Sequence, residues 1–377
     1  MRFEFATATR IVFGAGAFQE VVPAAKAMGR RALLVTHGAA LDLAETVLRV
    51  EGEPTVDLVR RGTELARAER CDVVVSFGGG SAIDAGKAIA AMLGNGGDPL
   101  DYLEVVGRGQ PLRQPSAPFI AVPTTAGTGA EVTRNAVLAS TEHRVKASLR
   151  SPLMLPRLAV VDPELTLELP PGLTASTGLD ALTQLIEPFV SVRANAMTDL
   201  YAQEGMRRAA RALVRAYADG QDRDARQDMS LASLFGGLCL ANAGLGAVHG
   251  FAAPVGGTFN APHGAVCAAL LPYAMEVNIR ALRARGGEAL DRYARVARIL
   301  TGRPDAAPED GIQWVAEVCR TLRIPPLSAY GIQPGDVPAL VESAAKASSM
   351  KGNPIALTTD EMAEILTRAI SSTAFRL

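Results

Sequence analysis

The first half of the chain contains short, continuous apolar runs separated by helical stretches. The runs are RALLVT (31–36), DVVVSF (72–77), FIAVP (119–123) and LAVVD (158–162). A strand that is apolar at every position is typical of a parallel sheet covered on both faces. Because helices are predicted between the runs, notably over 54–70 and 81–93, the pattern favours a Rossmann-like α/β domain. Short strands at Phe3–Phe5 and Arg10–Phe13, then a helix from Phe18 to Met28, are predicted before the first run.

After Pro163 the apolar residues follow helical spacing. The sequence contains no strand signal of comparable quality in this half, and the predicted helices cover 173–192, 194–217, 228–245, 265–283, 287–300, 312–322, 337–347 and 359–370. We therefore predict a dinucleotide-binding α/β domain over 1–163 and an all-helical metal and substrate domain over 164–377.

Composition excludes few functions but indicates the broad class of protein. The 377 residues are 48% apolar and 20% charged, which is ordinary for a soluble globular protein with two cores. A net charge of −1 gives no reason to expect nucleic acid or a membrane surface as a partner. The four cysteines show no CxxC spacing, and the sequence contains no leader-like segment or membrane-length apolar run, so we expect a cytoplasmic protein.

A run of glycines, Gly78, Gly79 and Gly80, ends one buried strand and precedes a helix that starts near Ser81. Glycines let successive N–H groups approach an anion, and the helix adds its positive end, so a pyrophosphate is the expected ligand. The alternative is a tight turn without a ligand. Asp84 and Lys87 share one face of that helix and could be no more than a surface ion pair.

A second loop rich in hydroxyls and glycines, with Thr124, Thr125 and Thr128, leaves the next strand at the same sheet edge. Short hydroxyl side chains can line a nucleotide pocket without filling it. Arg144 and Lys146 follow and could face a phosphate or a substrate carboxylate. A solvated basic face explains these two cations equally well.

In the helical half, Asp180 and Gln184 are four residues apart and therefore share a helix face. His249 and His263 flank a glycine pair in an apolar setting, where an imidazole needs a partner. One carboxylate, two imidazoles and a weak amide form a plausible set of ligands for a divalent metal. Backbone partners for the histidines, and a helix-dipole role for Asp180, remain as alternatives.

The same motifs resemble those of the iron-containing alcohol dehydrogenase family over essentially the full length. The matching segments are FGAG, GGGSAIDAGKAIA, PTTAGTGAEVT, KASLRSP, VVDPEL, TGLDALTQLIE, ANAGLGAVHG and GGTFNAPHGAVCAALLP. The resemblance implies a dehydroquinate synthase-like architecture, NAD(P)H as cofactor, Fe²⁺ or Zn²⁺ in the helical domain, and a homodimer or larger homo-oligomer.

Carried over position by position, the resemblance assigns roles to the candidate residues. It implies cofactor binding by Gly78, Gly79, Gly80, Ser81, Thr124, Thr125, Thr128 and Lys146. Asp84, on the helix after the glycine run, is a further cofactor-binding candidate. The resemblance implies metal binding by Asp180, His249 and His263, with Gln184 at the position of the fourth ligand, and catalytic roles for Lys146, His249 and His263.

The sequence departs from the family pattern at three places. Gln184 stands where a histidine ligand is usual, and Ala253 stands where a proton-relay histidine is usual. The segment between Thr36 and Glu53 is short, and His37 stands near the usual position of an acidic residue that binds the ribose of NAD.

These features predict reversible reduction of a small aldehyde or ketone to an alcohol, with a metal that polarises the carbonyl. A metal-independent reductase of the maleylacetate reductase kind is the nearest alternative, since the amide of Gln184 is a weaker ligand than imidazole. A dehydroquinate synthase-like lyase and an inactive NAD-binding protein are alternatives from other classes.

Overall fold

The computed structural model describes residues 2–38, 44–143, 145–259 and 261–371. These residues form two compact units. One unit runs from Ala6 to Leu167, and the other contains the chain from Glu168 onward together with the N-terminal residues up to Phe5.

The Ala6–Leu167 unit is built on a parallel sheet of six strands within the described residues, in the order β1-β8-β5-β4-β2-β3. The strands are β1 (Arg10–Phe13), β2 (Ala32–Thr36), β3 (Thr46–Arg49), β4 (Val73–Gly78), β5 (Phe119–Pro123) and β8 (Leu158–Val161). A separate antiparallel pair consists of β6 (Asn135–Ser140) and β7 (Val145–Arg150). Because β4 and β5 are parallel neighbours, their carboxyl ends meet at one edge.

Both faces of this sheet are buried, which explains the continuous apolar runs. Leu33 belongs to the core cluster that includes residues of α2 and α3, whereas its neighbour Leu34 belongs to the cluster that includes residues of α1. The helices of this unit are α1 (Val21–Met28), α2 (Val56–Ala68), α3 (Gly80–Asn95) and α4 (Pro99–Tyr102).

The second unit is helical throughout its described residues. Its helices are α5 (Pro171–Val190), α6 (Ala196–Ala218), α7 (Arg223–Ala243), α8 (Ala247–Phe259), α9 (His263–Arg285), α10 (Ala289–Thr301), α11 (Pro308–Thr321), α12 (Val337–Lys346) and α13 (Thr359–Ser371). Helix α5 packs against α6, α7 and α9, and it is buried on all sides from Gly178 to Val190. A helix buried all round is a core helix, so each polar side chain on it requires a partner.

The predicted fold class, a parallel α/β unit followed by a helical portion, is confirmed. The predicted strand at Phe3–Phe5 is wrong, because these residues form no strand and Phe5 instead stacks on Tyr201 of α6, with ring centroids 5.8 Å apart. Sequence reasoning also missed β3 and the β6–β7 pair.

One helix within the described residues, α9, is long and apolar enough to cross a membrane by length and composition alone, and the bent pair α7–α8 passes the same test only if taken together. In α9, 89% of the tested window is buried inside the structure, as in the core helix of a globular unit.

Candidate metal centre and nucleotide-binding edge

The glycine run and the threonine loop contact each other at the carboxyl edge of the parallel sheet. A Cβ added at Gly79 would lie 3.3 Å from the Thr125 methyl group, and one added at Gly80 would lie 2.9 Å from that of Thr128. The backbone N–H of Thr124 donates to Gly78 O at 3.0 Å. Glycine is therefore required here by close packing of two loops, and α3 begins at this point with Gly79 as its N-cap and Ser81 in its first turn.

Lys87 and Asp84 on α3 hydrogen-bond to the segment that follows the threonine loop and do not form a surface ion pair. The Lys87 ammonium is fully buried and lies 3.7 Å from Asp84 Oδ1. It donates to Ala130 O at 2.8 Å, Thr133 Oγ1 at 2.9 Å and Asn135 O at 2.7 Å. Asp84 Oδ2 accepts from the N–H of Val137 at 3.0 Å. Burial raises the pKa of Asp84 and lowers the pKa of Lys87. Both side chains thus tie α3 to the segment after β5.

Lys146 lies on β7, with its ammonium 3.0 Å from Glu53 Oε1. Its charge is therefore paired within this unit. Arg144 and residues 39–43 lie outside the described residues. The His37 ring lies at the end of β2, and its Nδ1 is 2.6 Å from Val50 O.

In the helical unit, α5 carries three buried polar side chains on one face: Asp180, Gln184 and Glu187. Their spacing of four and three residues places them one above another along the helix. The Gln184 amide Nε2 donates to Asp180 Oδ2 at 3.1 Å. This hydrogen bond holds one carboxylate oxygen and leaves Oδ1 for other partners.

Glu187 positions His249, which lies in the first turn of α8. Oε2 of Glu187 is 2.7 Å from His249 Nδ1, and Oε1 accepts from the Val248 N–H at 2.7 Å. A Cβ at Gly246 would lie 2.9 Å from that same Oε1, so a glycine is needed for the approach. Because the Glu187 carboxylate accepts the Nδ1 proton, Nε2 is the ring nitrogen of His249 that an ion would bind after displacing its proton.

His263 is the first residue of α9, directly after the Pro262 turn. Its Nε2 lies 3.7 Å from Asp180 Oδ1, and Nε2 of His249 lies 3.4 Å from the same oxygen. Cys267, one turn further along α9, places Sγ 3.7 Å from His263 Nε2 and 3.8 Å from His249 Nε2. The structure thus brings Asp180, His249 and His263 together, with Cys267 beside them.

These residues fit a divalent ion. Asp180 Oδ1 is a buried acceptor without a hydrogen-bond partner in the described part of the chain. A buried acceptor left unpaired costs about 1–3 kcal/mol, which a cation would relieve. One ligand atom each from Asp180, His249, His263 and Cys267 all lie within 4.8 Å of one another. Carboxylate, imidazole and thiolate are the ligands of zinc and related transition metals.

The charges of this cluster support one another. Burial opposes ionisation of Asp180, but the neighbouring His263 and His249 outweigh it and hold its pKa below the ordinary 3.8. Burial lowers the pKa of His263, but the opposite effect of Cys267 and Asp180 is larger and raises this pKa from the ordinary 6.5 to about 9. The pKa of His249 is raised well above 6.5, since Cys267, Asp180 and Glu187 outweigh its burial.

Sequence reasoning missed Cys267 and Glu187. Cys267 lies on the helix predicted over 265–283, four residues after His263, and this spacing could have revealed it. Glu187 stands seven residues after Asp180, which is also a same-face spacing.

A parallel α/β unit with a glycine turn at its strand ends and a helical unit with a possible metal site are typical of cofactor-dependent metalloenzymes. Family models identify the chain: the model described as iron-containing alcohol dehydrogenase matches residues 8–163, and that of the C-terminal part of the Fe-containing alcohol dehydrogenase family matches residues 174–370. The chain belongs to the iron-containing alcohol dehydrogenase family and is an alcohol oxidoreductase. The family implies NAD(P) and a divalent metal.

Individual relatives agree with this placement. The chain is 35% identical to alcohol dehydrogenase 4 of Saccharomyces cerevisiae over 375 residues, which cover 95% of this chain and 96% of that protein. It is 32% identical to the NAD-dependent methanol dehydrogenase of Bacillus methanolicus, covering 95% and 97% of the two proteins. A crystal structure of 1,3-propanediol oxidoreductase superposes with a TM-score of 0.90 at 33% identity, covering 98% of this chain and 100% of that one.

Proposed function

We propose that the chain reversibly reduces a small aldehyde or ketone to its alcohol with NAD(P)H, using a divalent ion held by Asp180, His249 and His263. The observation that carries this proposal is the buried Asp180 Oδ1. It has no hydrogen-bond partner among the described residues and lies 3.4 and 3.7 Å from the two imidazole Nε2 atoms. A donor set of this kind binds a cation in preference to solvent.

The bound cofactor supplies the hydride, and the bound ion supplies a positive charge that polarises the carbonyl. The role of the α/β unit is to hold the pyrophosphate. The N–H groups at Gly79, Gly80 and Ser81 open α3, where the positive end of a 16-residue helix favours an anion. Thr125 and Thr128 pack against the glycines and fix the shape of this turn.

In the helical unit, Asp180 supplies the negative charge and Glu187 orients His249 so that its Nε2 is an acceptor. Orientation by an outer carboxylate makes an imidazole a better ligand. Ala253 offers no titratable group, and the side chain of His263 is 38% exposed. The proton taken up by the product oxygen would therefore come from water or from a ribose hydroxyl of the nicotinamide cofactor.

The names of the relatives, which include a methanol dehydrogenase and a propanediol oxidoreductase, support small primary alcohols and their aldehydes as the substrate class. The test is NADH and NADPH oxidation against a panel of such aldehydes and of carboxylated ketones. The protein is assayed as purified, after chelation, and after reloading with Fe²⁺ or Zn²⁺.

We expect activity that chelation abolishes and reloading restores. Asp180→Asn should lower kcat/KM by more than the roughly 10–100-fold cost of losing an outer-shell partner. Asp228→Asn is the matched control, since this largely buried carboxylate on α7 pairs with Arg208 and Arg211 outside the cluster. Full activity after chelation, with a preference for carboxylated ketones, would refute the proposed metal role.

A further inference from the structure

The N-terminal part of α9 carries two side chains of the kinds that bind metals, and these two side chains lie close together. His263 and Cys267 are four residues apart and therefore lie on one face of the helix. Cys267 is completely buried, and its Sγ lies 3.7 Å and 3.8 Å from the Nε2 atoms of His263 and His249.

Four of the six separations among the ligand atoms are close to those of a tetrahedral site. With zinc bond lengths of about 2.3 Å to sulfur and 2.0–2.1 Å to nitrogen and oxygen, a tetrahedron has edges of roughly 3.6 Å between sulfur and nitrogen and roughly 3.3 Å between nitrogen and oxygen. The two sulfur–nitrogen distances are 3.7 and 3.8 Å, and the two nitrogen–oxygen distances are 3.4 and 3.7 Å. These four edges agree with the ideal values within about 0.4 Å, and all four ligand atoms lie within 4.8 Å of one another.

Gln184 does not have this placement. Its Nε2 donates a hydrogen bond to Oδ2 of Asp180, the carboxylate oxygen that does not face the imidazoles. Its Oε1 would lie 3.6 Å from a Cβ added at Gly236, so this oxygen is near α7. An amide flip would place its oxygen against Oδ2 of Asp180, where two acceptors would repel each other.

We propose that the Cys267 thiolate, rather than the Gln184 amide, is the fourth protein ligand of the metal centre. This inference rests on the proposed function only in requiring a metal at Asp180, His249 and His263. The resulting set of one thiolate, one carboxylate and two imidazoles carries two negative charges, which balance a divalent ion. A thiolate favours zinc over magnesium-like or manganese-like ions, and zinc can expand to five ligands when a substrate binds.

The experiment uses Co²⁺ as a spectroscopic probe in the full-length chain. After chelation, the protein is titrated with Co²⁺, and the near-ultraviolet sulfur-to-cobalt charge-transfer band is recorded alongside the visible d–d bands. We expect the charge-transfer band in the parent protein and its loss in Cys267→Ser, while Cys239→Ser keeps it. Cys239 is the matched control, because it is a buried thiol of the same unit whose Sγ contacts Thr198 O.

Zinc affinity, measured by competition with a chromophoric chelator, gives a second readout. Cys267→Ser should weaken zinc binding by at least about 100-fold, beyond the 10–100-fold effect of an outer-shell residue. Gln184→Ala should retain the charge-transfer band and lose no more than an outer-shell residue would. Circular dichroism of each metal-free variant checks that the helical unit is folded.

The outcomes separate this inference from the proposed function. A parent protein that binds one Co²⁺ in an Asp180-dependent manner but shows no charge-transfer band overturns the Cys267 assignment alone, whatever the stability of the variants. Retention of the band in Cys267→Ser overturns it as well. If the parent protein binds no metal and Asp180→Asn changes neither binding nor turnover, the metal centre itself is refuted.

Discussion

Replacing Gly264 by alanine should separate α5 and α9, two of the three helices that form the metal centre. Gly264 is the second residue of α9, and a Cβ built there would lie 2.5 Å from Ser176 O and 2.9 Å from Ser176 C on α5. Both neighbours are backbone atoms and cannot rotate away. To reach an ordinary contact of 3.4 Å the helices must separate by about 0.9 Å (3.4 − 2.5) at this point.

The energetic cost follows from two opposing terms. Overpacking a close contact costs about 1–3 kcal/mol, and the better helix propensity of alanine returns at most about 1 kcal/mol. We therefore expect Gly264→Ala to destabilise the metal-free protein by about 1–2 kcal/mol. His263 precedes Gly264 and would move away from Asp180, and because metal sites tolerate shifts of only about 0.2 Å, zinc affinity should fall at least about 10-fold.

The assay compares Gly264→Ala with Gly172→Ala. Gly172 lies in the first turn of α5, and an added Cβ there meets nothing within 4 Å, so this control should keep its stability and metal affinity. Urea unfolding after chelation, followed by circular dichroism, gives the stability difference, and chelator competition gives the affinity. If both variants behave alike in the two measurements, the close α5–α9 contact does not set the geometry of the centre.

Two further predictions concern carboxylates that act without touching substrate. Glu187→Gln should lower zinc affinity by about 10-fold, because a neutral amide orients His249 less firmly than a carboxylate, and an unchanged affinity in chelator competition would contradict the positioning role. Burial raises the pKa of Glu131 from its ordinary 4.5 to about 7. Between pH 4.5 and pH 7 the folded chain keeps a proton on Glu131 that the unfolded chain releases. The contribution of Glu131 to the free energy of unfolding is therefore complete below pH 4.5 and is lost as the pH rises to 7, a total of about 3 kcal/mol. Glu131→Gln should therefore gain stability relative to the parent between pH 5 and pH 8 in urea unfolding, and parallel pH profiles would refute this.

The sheet was predictable because its signal is local. Each buried strand in the first half is a continuous apolar run, and the glycine turn follows directly after one of them, so neighbouring residues specify both element and edge. The β6–β7 pair was not predictable in the same way. Its strand Asn135–Ser140 alternates between buried and half-buried positions, but the sequence NAVLAS does not alternate between apolar and polar residues, so this burial pattern has no counterpart in the sequence.

The ligand set was predictable in part for the same physical reason. Histidine and aspartate in apolar helices stand out because burying them alone is unfavourable. Cysteine gives no such signal, since a buried thiol is common in any core. The role of Lys87 was also hidden: its three acceptors come from residues 43 to 48 positions away, and only the folded chain brings them together.

The two oxygens of Asp180 explain why a glutamine at position 184 is compatible with a metal site. As a hydrogen-bond donor to Oδ2, the Gln184 amide fixes the carboxylate so that Oδ1 faces the imidazoles. An imidazole at position 184 would have to offer a lone pair to the ion, whereas the amide N–H of Gln184 can only orient the Asp180 carboxylate. The fourth ligand must then come from another helix, and α9 supplies a thiol one turn after His263. Orientation by α5 and ligation by α9 are therefore two parts of one arrangement.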